Sequence, residues 1–281
     1  MHTAHNTDRT PNVGIGREMN AGDRREEIIQ RVRAQGEMSV ETLSEMLGVT
    51  ASTIRRDLAR LTDAGDLART YGGVIAVSTE SESTLDERSL EAPEIKRALG
   101  IWCARQVPTG SHVLLDAGST TAQIARALRE TAPLSVVSTG LTSLQQMAGA
   151  PDVEFTLLGG RYRSISQGFI GPITEVGLEK FTFDFAFLGA DAVTAEDGVC
   201  EATPEQVRLK ELMSRRATHV HVVAHAAKLG QRPFHAWADL GNGWTLVTDD
   251  SAEAEQIRAF EARGITVVTV DGMGVAQPPR D

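Results

Sequence analysis

Three short segments near the amino end of the chain place apolar residues at helical spacing. The first runs from about Asp23 to Gln35, and the second begins after the candidate N-cap Ser39 and ends near Leu47. The third follows the short turn 48–50, and its apolar stripe at i, i+4 and i+7 consists of Ile54, Leu58 and Leu61. Two helices joined by so short a turn predict a helix-turn-helix.

A short extended pattern follows the third helix. The stretch DLARTYGGVIAV is interrupted by Gly72 and Gly73, which predicts a small hairpin and makes the domain winged. We therefore place a winged helix-turn-helix domain at residues 23–77. Residues 1–22 have little apolar periodicity and are predicted to form a disordered tail.

A polar stretch separates this domain from the rest of the chain. Residues 78–93, STESESTLDERSLEAP, have no sustained apolar period and predict an interdomain linker. Over residues 94–281, helices and nearly continuous apolar strands succeed one another, which predicts an α/β domain with a mostly parallel sheet covered by helices on both faces. The predicted strands are HVLLDAG, LSVVSTG, VEFTLLGG, FDFAFLGAD, HVHVVAH, WTLVTDD and ITVVTV.

Composition narrows the class of protein. No apolar run approaches the roughly 20 residues of a membrane span, and no secretory signal is seen, so we expect a cytoplasmic protein. Cys103 and Cys200 lack the spacing of a disulfide framework or a zinc site. Residues 1–79 carry ten Arg and eleven Asp or Glu, net −1, which leaves −9 of the total −10 for the remainder. A surface that binds nucleic acid in the first domain must therefore arise because the fold gathers arginines on one face.

Small, hydroxylic and charged residues end every predicted strand. In open parallel sheets ligands bind beyond these carboxyl ends. The stretch Asp116-Ala-Gly-Ser-Thr-Thr leads from a strand into a helix, which brings free N–H groups and hydroxyls to a positive helix terminus suited to a phosphate. Simple capping of that helix by Ser119 or Thr120 is an equally good interpretation at this point.

Further side chains at the strand ends extend this candidate site. Lys228 and Arg161 would add positive charge, while Asp191 and Glu205 would accept hydrogen bonds from sugar hydroxyls. Each of the four, taken singly, also fits a solvated surface position. His219, His221 and His225 share one strand face by parity and raise the question of a metal, but no carboxylate or cysteine accompanies them at helpful spacing, so we predict no metal and no cofactor.

The helix that carries Arg55 and Arg56 is the candidate DNA-reading element. The second helix of a helix-turn-helix lies in the major groove with its first residues at base edges. Ser52, Thr53 and Arg55 are then predicted base or near-base contacts, and Arg56 and Arg60 phosphate contacts. Arg69 and Tyr71 would reach the duplex from the wing. The alternative is a solvated face in which Arg56 or Arg60 pairs with Asp57 or Asp63.

The residues from Arg25 to Ala76, with TIRRDL and the later YGG, resemble the amino-terminal domain of the DeoR family of bacterial transcriptional regulators. The resemblance continues through DAGSTT, LLGGRYR, FAFLGAD and LVTDD, and covers roughly residues 24–270. It implies a sensor domain related in fold to ribose-5-phosphate isomerase and the coenzyme A transferases. It also implies a homo-oligomer, dimer or tetramer, that binds a double-stranded operator, usually represses carbohydrate genes and responds to a phosphorylated effector.

Three residues depart from the family pattern at the predicted ligand crevice. His225 stands where an Asp is usual, Ala227 where a Ser is usual, and Thr139 where an Asn is common. These departures indicate an effector that differs from an ordinary sugar phosphate, although the GSTT cradle is intact. The predicted effector-binding residues are Asp116, Gly118, Ser119, Thr120, Thr121, Thr139, Arg161, Asp191, Glu205, His225 and Lys228.

Two other functions compete with the repressor. The first is a sugar-phosphate isomerase in which Asp191 or Glu205 is the base and Lys228 polarises the substrate. An isomerase has no use for the helix-turn-helix, so we predict that the protein is not an enzyme. The second is a transcriptional activator, which the sequence does not distinguish from a repressor.

Overall fold

The computed structural model describes residues 20–35, 38–63, 67–69, 73–76 and 82–278, without the side chains of 33–35, 63, 68, 69, 75 and 76. The chain divides into two compact units, residues 1–77 and 78–281. Residues 1–19 of the predicted tail lie outside the described residues, whereas 21 and 22 already belong to the first helix.

The first unit is a helix-turn-helix followed by a hairpin, as predicted. Its elements are α1 (Ala21–Gln35), α2 (Val40–Leu47), α3 (Ala51–Asp63) and the antiparallel strands β1 (Leu67–Arg69) and β2 (Val74–Ala76). One apolar cluster joins the three helices to the hairpin, and its fully or almost fully buried members are Ile28, Val32, Met38, Leu43, Ile54, Leu58, Leu61, Leu67 and Val74.

Polar residues define the turn between α2 and α3. The Ser39 side chain caps α2 by accepting the Thr42 N–H at 3.1 Å. Gly48 ends α2 with φ +63°, the left-handed region that favours glycine. The Thr50 hydroxyl accepts the Thr53 N–H at 3.3 Å at the start of α3. These local signals hold the two helices at a fixed turn and leave the outer face of α3 to carry other functions.

The second unit alternates helices and strands. Its helices are α4 (Leu85–Leu90), α5 (Pro93–Arg105), α6 (Ser119–Leu128), α7 (Leu141–Met147), α8 (Pro172–Leu178), α9 (Pro204–Arg215) and α10 (Ala254–Glu261), with a 3-10 turn at Ala226–Lys228. Its strands are β3 (His112–Leu115), β4 (Leu134–Ser138), β5 (Val153–Leu157), β6 (Arg161–Arg163), β7 (Gly168–Ile170), β8 (Phe183–Leu188), β9 (Ala192–Thr194), β10 (Gly198–Glu201), β11 (Ala217–Val223), β12 (Ala236–Ala238), β13 (Thr245–Asp249) and β14 (Thr266–Val270).

A seven-stranded sheet in the order β14-β13-β11-β8-β3-β4-β5 forms the centre of this unit, and all neighbouring strands run parallel. Alternate residues of each strand face opposite cores, as Val113 and Leu114 do in β3. Buried residues of α5, α6 and α7 pack on one face, and those of α8, α9 and α10 pack on the other. The predicted parallel sheet covered on both faces is confirmed.

Part of the predicted linker is instead structured. Thr84 and Glu87 form a capping box at the start of α4, and Leu85 is buried. The Leu85 N–H donates to the Ile165 carbonyl at 2.7 Å, and Glu82 pairs with Arg163. Residues 82–93 therefore belong to the second unit, since their polar side chains form specific ion pairs and caps rather than remaining solvated.

Two small antiparallel sheets were not predicted from the sequence. One is the hairpin β6-β7, and the other has the order β12-β10-β9. Their strands are only three or four residues long, so they give little period-two signal. Both sheets contribute residues to the pocket described below.

Candidate DNA-binding surface and ligand pocket

Helix α3 separates an apolar face from a cationic one. Ile54, Leu58 and Leu61 are at most 5% exposed, whereas Ser52, Arg55, Arg56 and Arg60 are exposed. Thr53 is half-buried. The predicted DNA contacts on α3 therefore lie on the side of the helix opposite its core contacts.

The alternative pairing of the α3 arginines with Asp57 is not what the structure has. Asp57 is 3% exposed and accepts a hydrogen bond from Arg24 Nε of α1 at 2.7 Å. Arg55 lies 3.8 Å from Glu41, but both side chains are well exposed, so this pair contributes little. The Asp63 side chain lies outside the described residues, and among the described side chains Arg56 and Arg60 form no ion pair.

The predicted wing contacts are not placed by the structure. Arg69 ends β1, but its side chain lies outside the described residues, as does the whole of Tyr71. The β1-β2 hairpin itself is present, with Leu67 opposite Ala76 and Arg69 opposite Val74.

A pocket opens at the carboxyl ends of β3 and β8. These adjacent strands mark the point where the chain order of the sheet reverses, which is where open parallel sheets bind ligands. The space measures about 640 Å³ including its open mouth. Its lining residues are Arg88, Asp116, Ala117, Gly118, Ser119, Thr120, Thr139, Ser166, Gly168, Phe169, Ile170, Gly189, Ala190, Asp191, Glu201, Gln206, Leu209, Lys210 and Lys228.

The amino terminus of α6 faces this pocket without a side-chain cap. Gly118 occupies the N-cap position, and no side chain there accepts a hydrogen bond. The Thr121 hydroxyl instead donates to the Gly118 carbonyl at 3.1 Å, and Thr121 is fully buried. The capping interpretation of Ser119 and Thr120 is therefore wrong. First-turn N–H groups of α6 remain available to an anion at the positive end of the helix.

Tight backbone contacts hold this loop in place. A Cβ on Gly168 would lie 2.6 Å from the Ala117 Cβ, and a Cβ on Gly140 would lie 2.9 Å from the Ala117 Cα. The Phe169 N–H donates to the Thr139 carbonyl at 2.8 Å. The loop after β3, the loop after β4 and the β6-β7 hairpin thus meet at one edge of the pocket.

A buried group of charges lies on the pocket floor. Lys210 of α9 pairs with Asp116, lies 3.0 Å from Glu201 Oε1, and donates to the Gly189 carbonyl at 2.7 Å. Asp116 also accepts the Ala117 N–H at 2.7 Å and the Gly189 N–H at 3.2 Å. The two carboxylates raise the pKa of Lys210 although burial opposes this. Lys210 therefore remains a cation that joins β3, β8, β10 and α9.

The environment of Glu201 increases its proton affinity. Burial raises its pKa to about 8, against the opposing attraction of Lys210, and the nearby Asp191 and Asp116 charges add to the increase. Gln206 Nε2 donates to Glu201 Oε2 at 2.8 Å. Near neutral pH this carboxyl is consequently a protonatable group on the pocket floor.

We expect Glu201 to make the stability of the second unit depend on pH. The pKa of Glu201 in the folded protein, about 8, lies above the ordinary 4.5. Its contribution to the free energy of unfolding is therefore complete below pH 4.5 and is lost as the pH rises toward 8. The slope is at most about 1.4 kcal/mol per pH unit. Glu201→Gln should remove it. All three tryptophans, Trp102, Trp237 and Trp244, lie in this unit, so their fluorescence during urea unfolding reports on it selectively.

The free energies of unfolding of the wild type and Glu201→Gln are compared at each pH, because His221 changes this free energy with pH in the opposite direction. Burial lowers the pKa of His221 to about 4, so its contribution increases with pH from 4 to 6.5. Equal slopes for Glu201→Gln and the wild type between pH 5 and 8 would show that Glu201 is ionised throughout.

One wall of the pocket carries a cluster of lysine and arginine side chains. Lys228 Nζ donates to the Ala190 carbonyl at 2.6 Å, and Arg88 pairs with Asp191 at 2.9 Å. Behind them, Lys96 is 2% exposed and donates to the Arg88 carbonyl. Burial and the Lys228 charge lower the pKa of Lys96 to about 8, and burial also lowers the pKa of Lys228. An anion in the pocket would relieve this repulsion.

The pocket collects seven of the predicted ligand residues: Asp116, Gly118, Ser119, Thr120, Thr139, Asp191 and Lys228. Thr139 is 1% exposed, and its hydroxyl has no hydrogen-bond partner among the described residues. Thr121 supports the cradle from within the helix rather than lining the pocket. Seven of the eleven predicted residues therefore share one cavity.

Three other predicted residues lie elsewhere. Arg161 and Glu205 are not among the lining residues and pair with each other, and Arg161 is well exposed. His225 is half-buried behind the lining, and burial and the Lys228 and Lys96 charges lower its pKa. Within the described parts of the chain, no group of three His, Cys, Asp or Glu is arranged to hold a metal. His221 instead stacks on Phe187 with ring centroids 5.2 Å apart.

Sequence reasoning missed several lining residues, above all Arg88, Glu201, Gln206 and Lys210. One signal for Lys210 was present. Lys210 stands three residues before Met213, which is fully buried, so helical periodicity places a lysine on the core side of α9. A lysine there requires a buried acidic partner.

Comparisons with known proteins agree with both units. A family model described as a DeoR-like helix-turn-helix domain matches residues 24–80, and one described as a DeoR C terminal sensor domain matches residues 91–250. The HTH-type transcriptional regulator GlpR of Haloferax volcanii is 34% identical over 88% of this chain and 96% of its own. The glycerol-3-phosphate regulon repressor of Escherichia coli K12 is 30% identical over 73% of this chain and 81% of its own.

A solved structure of ribose 5-phosphate isomerase A from Methanocaldococcus jannaschii aligns with 48% of this chain and 54% of its own, with 16% identity and a TM-score of 0.36. In the described parts of this chain, no helix combines the length and hydropathy of a membrane span. The relatives are named as transcriptional regulators, so the prediction of a regulator rather than an enzyme is confirmed. The chain belongs to the DeoR family of helix-turn-helix transcriptional regulators.

Proposed function

We propose that the protein is a transcriptional repressor that binds an operator through α3 and releases it when a phosphorylated sugar or polyol occupies the pocket. The observation that carries the effector class is the uncapped amino terminus of α6 facing the pocket. A dianionic phosphate fits a helix terminus with free N–H groups better than a neutral ligand does. The name of the Escherichia coli relative, a glycerol-3-phosphate regulon repressor, supports the same class.

The rest of the pocket supports a polyhydroxylated phosphate ester. Lys228 supplies a cation at one wall, which suits a phosphate or another anionic group, while the neighbouring Arg88 is paired with Asp191. Asp191 Oδ2 and the Thr139 hydroxyl are buried without partners among the described residues, which suits hydroxyl groups of a ligand.

The DNA side of the proposal rests on α3. Ser52, Thr53 and Arg55 would read base edges, and Arg56 and Arg60 would contact phosphates. Arg69 and Tyr71 would contribute from the wing. A dimer would present two such helices to two half-sites, and the protein would act in the compartment that holds the DNA. Linkage then requires the effector to bind DNA-bound protein more weakly than free protein.

A thermal-shift panel tests the effector class. The panel contains glycerol 3-phosphate, ribose 5-phosphate, fructose 6-phosphate, inorganic phosphate and the matching unphosphorylated compounds. A ligand at about 100 times its Kd should stabilise the sensor by about 2.7 kcal/mol. For a unit of this size we expect the Tm to rise by about 5 to 10 °C. Only the phosphorylated members should produce this shift.

Thr120→Val tests the cradle itself. Thr120 lines the pocket and is 7% exposed. Valine keeps its shape and its backbone N–H but removes the hydroxyl, so the shift should fall for every phosphorylated compound. Thr109→Val, in an exposed loop, is the matched control. Stabilisation by unphosphorylated compounds alone, with no effect of Thr120→Val, would overturn the proposal.

A further inference from the structure

Helix α4 connects the pocket to the part of the chain that precedes it. The first unit ends at Val77, and α4 begins at Leu85. Arg88 of α4 lines the pocket. Of the helices in the second unit, α4 therefore stands nearest in sequence to the DNA-binding unit, and it also supplies a pocket residue.

Specific contacts fix α4 to the pocket wall. Leu85 is buried and its N–H donates to the Ile165 carbonyl at 2.7 Å, between β6 and β7. Glu82, just before α4, pairs with Arg163 of β6. Lys96 of α5 donates to the Arg88 carbonyl. Since the β6-β7 hairpin also lines the pocket, α4 and this hairpin form one connected wall.

The Arg88 side chain is only partly satisfied within that wall. Its Nη1 donates to Asp191 Oδ1 at 2.9 Å, and its Nη2 donates to the Ile165 carbonyl at 3.5 Å and lies 3.7 Å from Glu82 Oε1. Arg88 Nε and Asp191 Oδ2 are buried, and neither has a hydrogen-bond partner among the described residues. One is a donor and the other an acceptor, and both residues line the same pocket. Buried polar atoms of this kind require an explanation, and a ligand provides one.

We propose that Arg88 and Asp191 together bind a hydroxyl-bearing part of the effector, and that Arg88 thereby transmits occupancy of the pocket to α4 and the chain leading to the DNA-binding unit. Arg88 Nε donates to a ligand oxygen, and Asp191 Oδ2 accepts from a ligand hydroxyl. The inference rests on the proposed function, because it assigns the part of the effector other than the phosphate. The phosphate remains at the α6 terminus.

The test separates the two ends of the ligand. Full-length wild type and Arg88→Gln are titrated with inorganic phosphate and with whichever ester of the panel raises the wild-type Tm most. Arg88→Gln should weaken the ester about tenfold, the value of one charge-assisted hydrogen bond. Affinity for inorganic phosphate should stay within about twofold, since phosphate contacts the α6 terminus. Arg97→Gln, on an exposed side chain of α5, is the control.

A second measurement addresses transmission. A duplex selected from a random pool by wild-type protein is titrated with and without the ester. The ester should release this duplex from wild type and from Arg97→Gln, but Arg88→Gln should keep its DNA even at ester concentrations that saturate it. If Arg88→Gln does not fold, Asp191→Asn is used, with the same difference expected between ester and inorganic phosphate.

The outcomes distinguish the two proposals. Unchanged ester affinity and unchanged release in Arg88→Gln would overturn the role of Arg88 and leave the effector class intact. A parallel loss of ester and inorganic phosphate would also overturn it, because Arg88 would then act only on the structure of the pocket. Failure of the wild type to bind any phosphorylated compound would overturn the proposed function and this inference with it.

Discussion

Replacing Arg55 with alanine is expected to weaken operator binding about 5- to 150-fold and to relax sequence preference at the base that it contacts. The expected loss of about 1 to 3 kcal/mol is that of one bidentate contact to a base edge. Arg55 is exposed near the start of α3 and its only described ion pair is the long one with Glu41. Its removal should therefore leave the fold unchanged. A binding titration at fixed salt, with the selected duplex and single-base variants, measures both effects.

Arg56→Ala provides the contrast within the same helix. If Arg56 contacts a phosphate, its loss should weaken binding to all sequences about equally and reduce the salt slope by about one. Arg97→Ala removes the same charge from an exposed site in the other unit and should change neither quantity. Wild-type affinity and wild-type sequence preference in Arg55→Ala would exclude Arg55 from base readout.

The elements with strong periodicity were predictable from the sequence. The seven apolar strands became the seven parallel strands of the sheet, because residues buried on both faces form nearly continuous apolar runs. The stripe Ile54, Leu58 and Leu61 became the core face of α3 for the same reason at helical period. In both cases burial alone determines the pattern, because each buried position is occupied by an apolar residue that is visible in the sequence without knowledge of its partners.

Helix α4 was not predictable in this way. It has six residues and one buried apolar side chain, Leu85. Its position depends on ion pairs with residues far along the chain, such as Asp191, 103 residues after Arg88. A polar stretch that forms such pairs has the same composition as a solvated linker. The difference lies in the partners, which only the fold brings together.

The residues of the pocket likewise divide into those that were predictable from the sequence and those that were not. Asp116 and Asp191, which come after β3 and β8 of the parallel sheet, were found because the carboxyl ends of those strands meet at one edge. Arg161 and Glu205 also follow predicted elements, yet they are not among the lining residues and pair with each other. Lys210 and Glu201 were missed because Lys210 comes from the middle of α9 and Glu201 from a small antiparallel sheet that was not predicted.

Lys210→Met is expected to be the most destabilising single change on the pocket floor. The Lys210 side chain is 6% exposed, pairs with Asp116 and lies beside Glu201, and the side chains of both acids are at most 9% exposed. Removing one partner of a buried ion pair costs about 3 to 5 kcal/mol, since the remaining charge is left uncompensated. For about 200 residues this corresponds to a fall in Tm of roughly 6 to 20 °C. Tryptophan fluorescence during thermal unfolding measures it.

Three comparisons test whether an uncompensated buried carboxylate is the cause. Lys180→Met removes a lysine from an exposed position and should leave the Tm unchanged. The double variant Lys210→Met with Asp116→Asn should recover part of the loss, because it removes the carboxylate that Lys210 neutralises. Lowering the pH should also narrow the gap between Lys210→Met and the wild type, since protonation removes the repulsion. A deficit that is the same at pH 5 and pH 8, and the same in the double variant, would instead indicate a simple packing defect at Lys210.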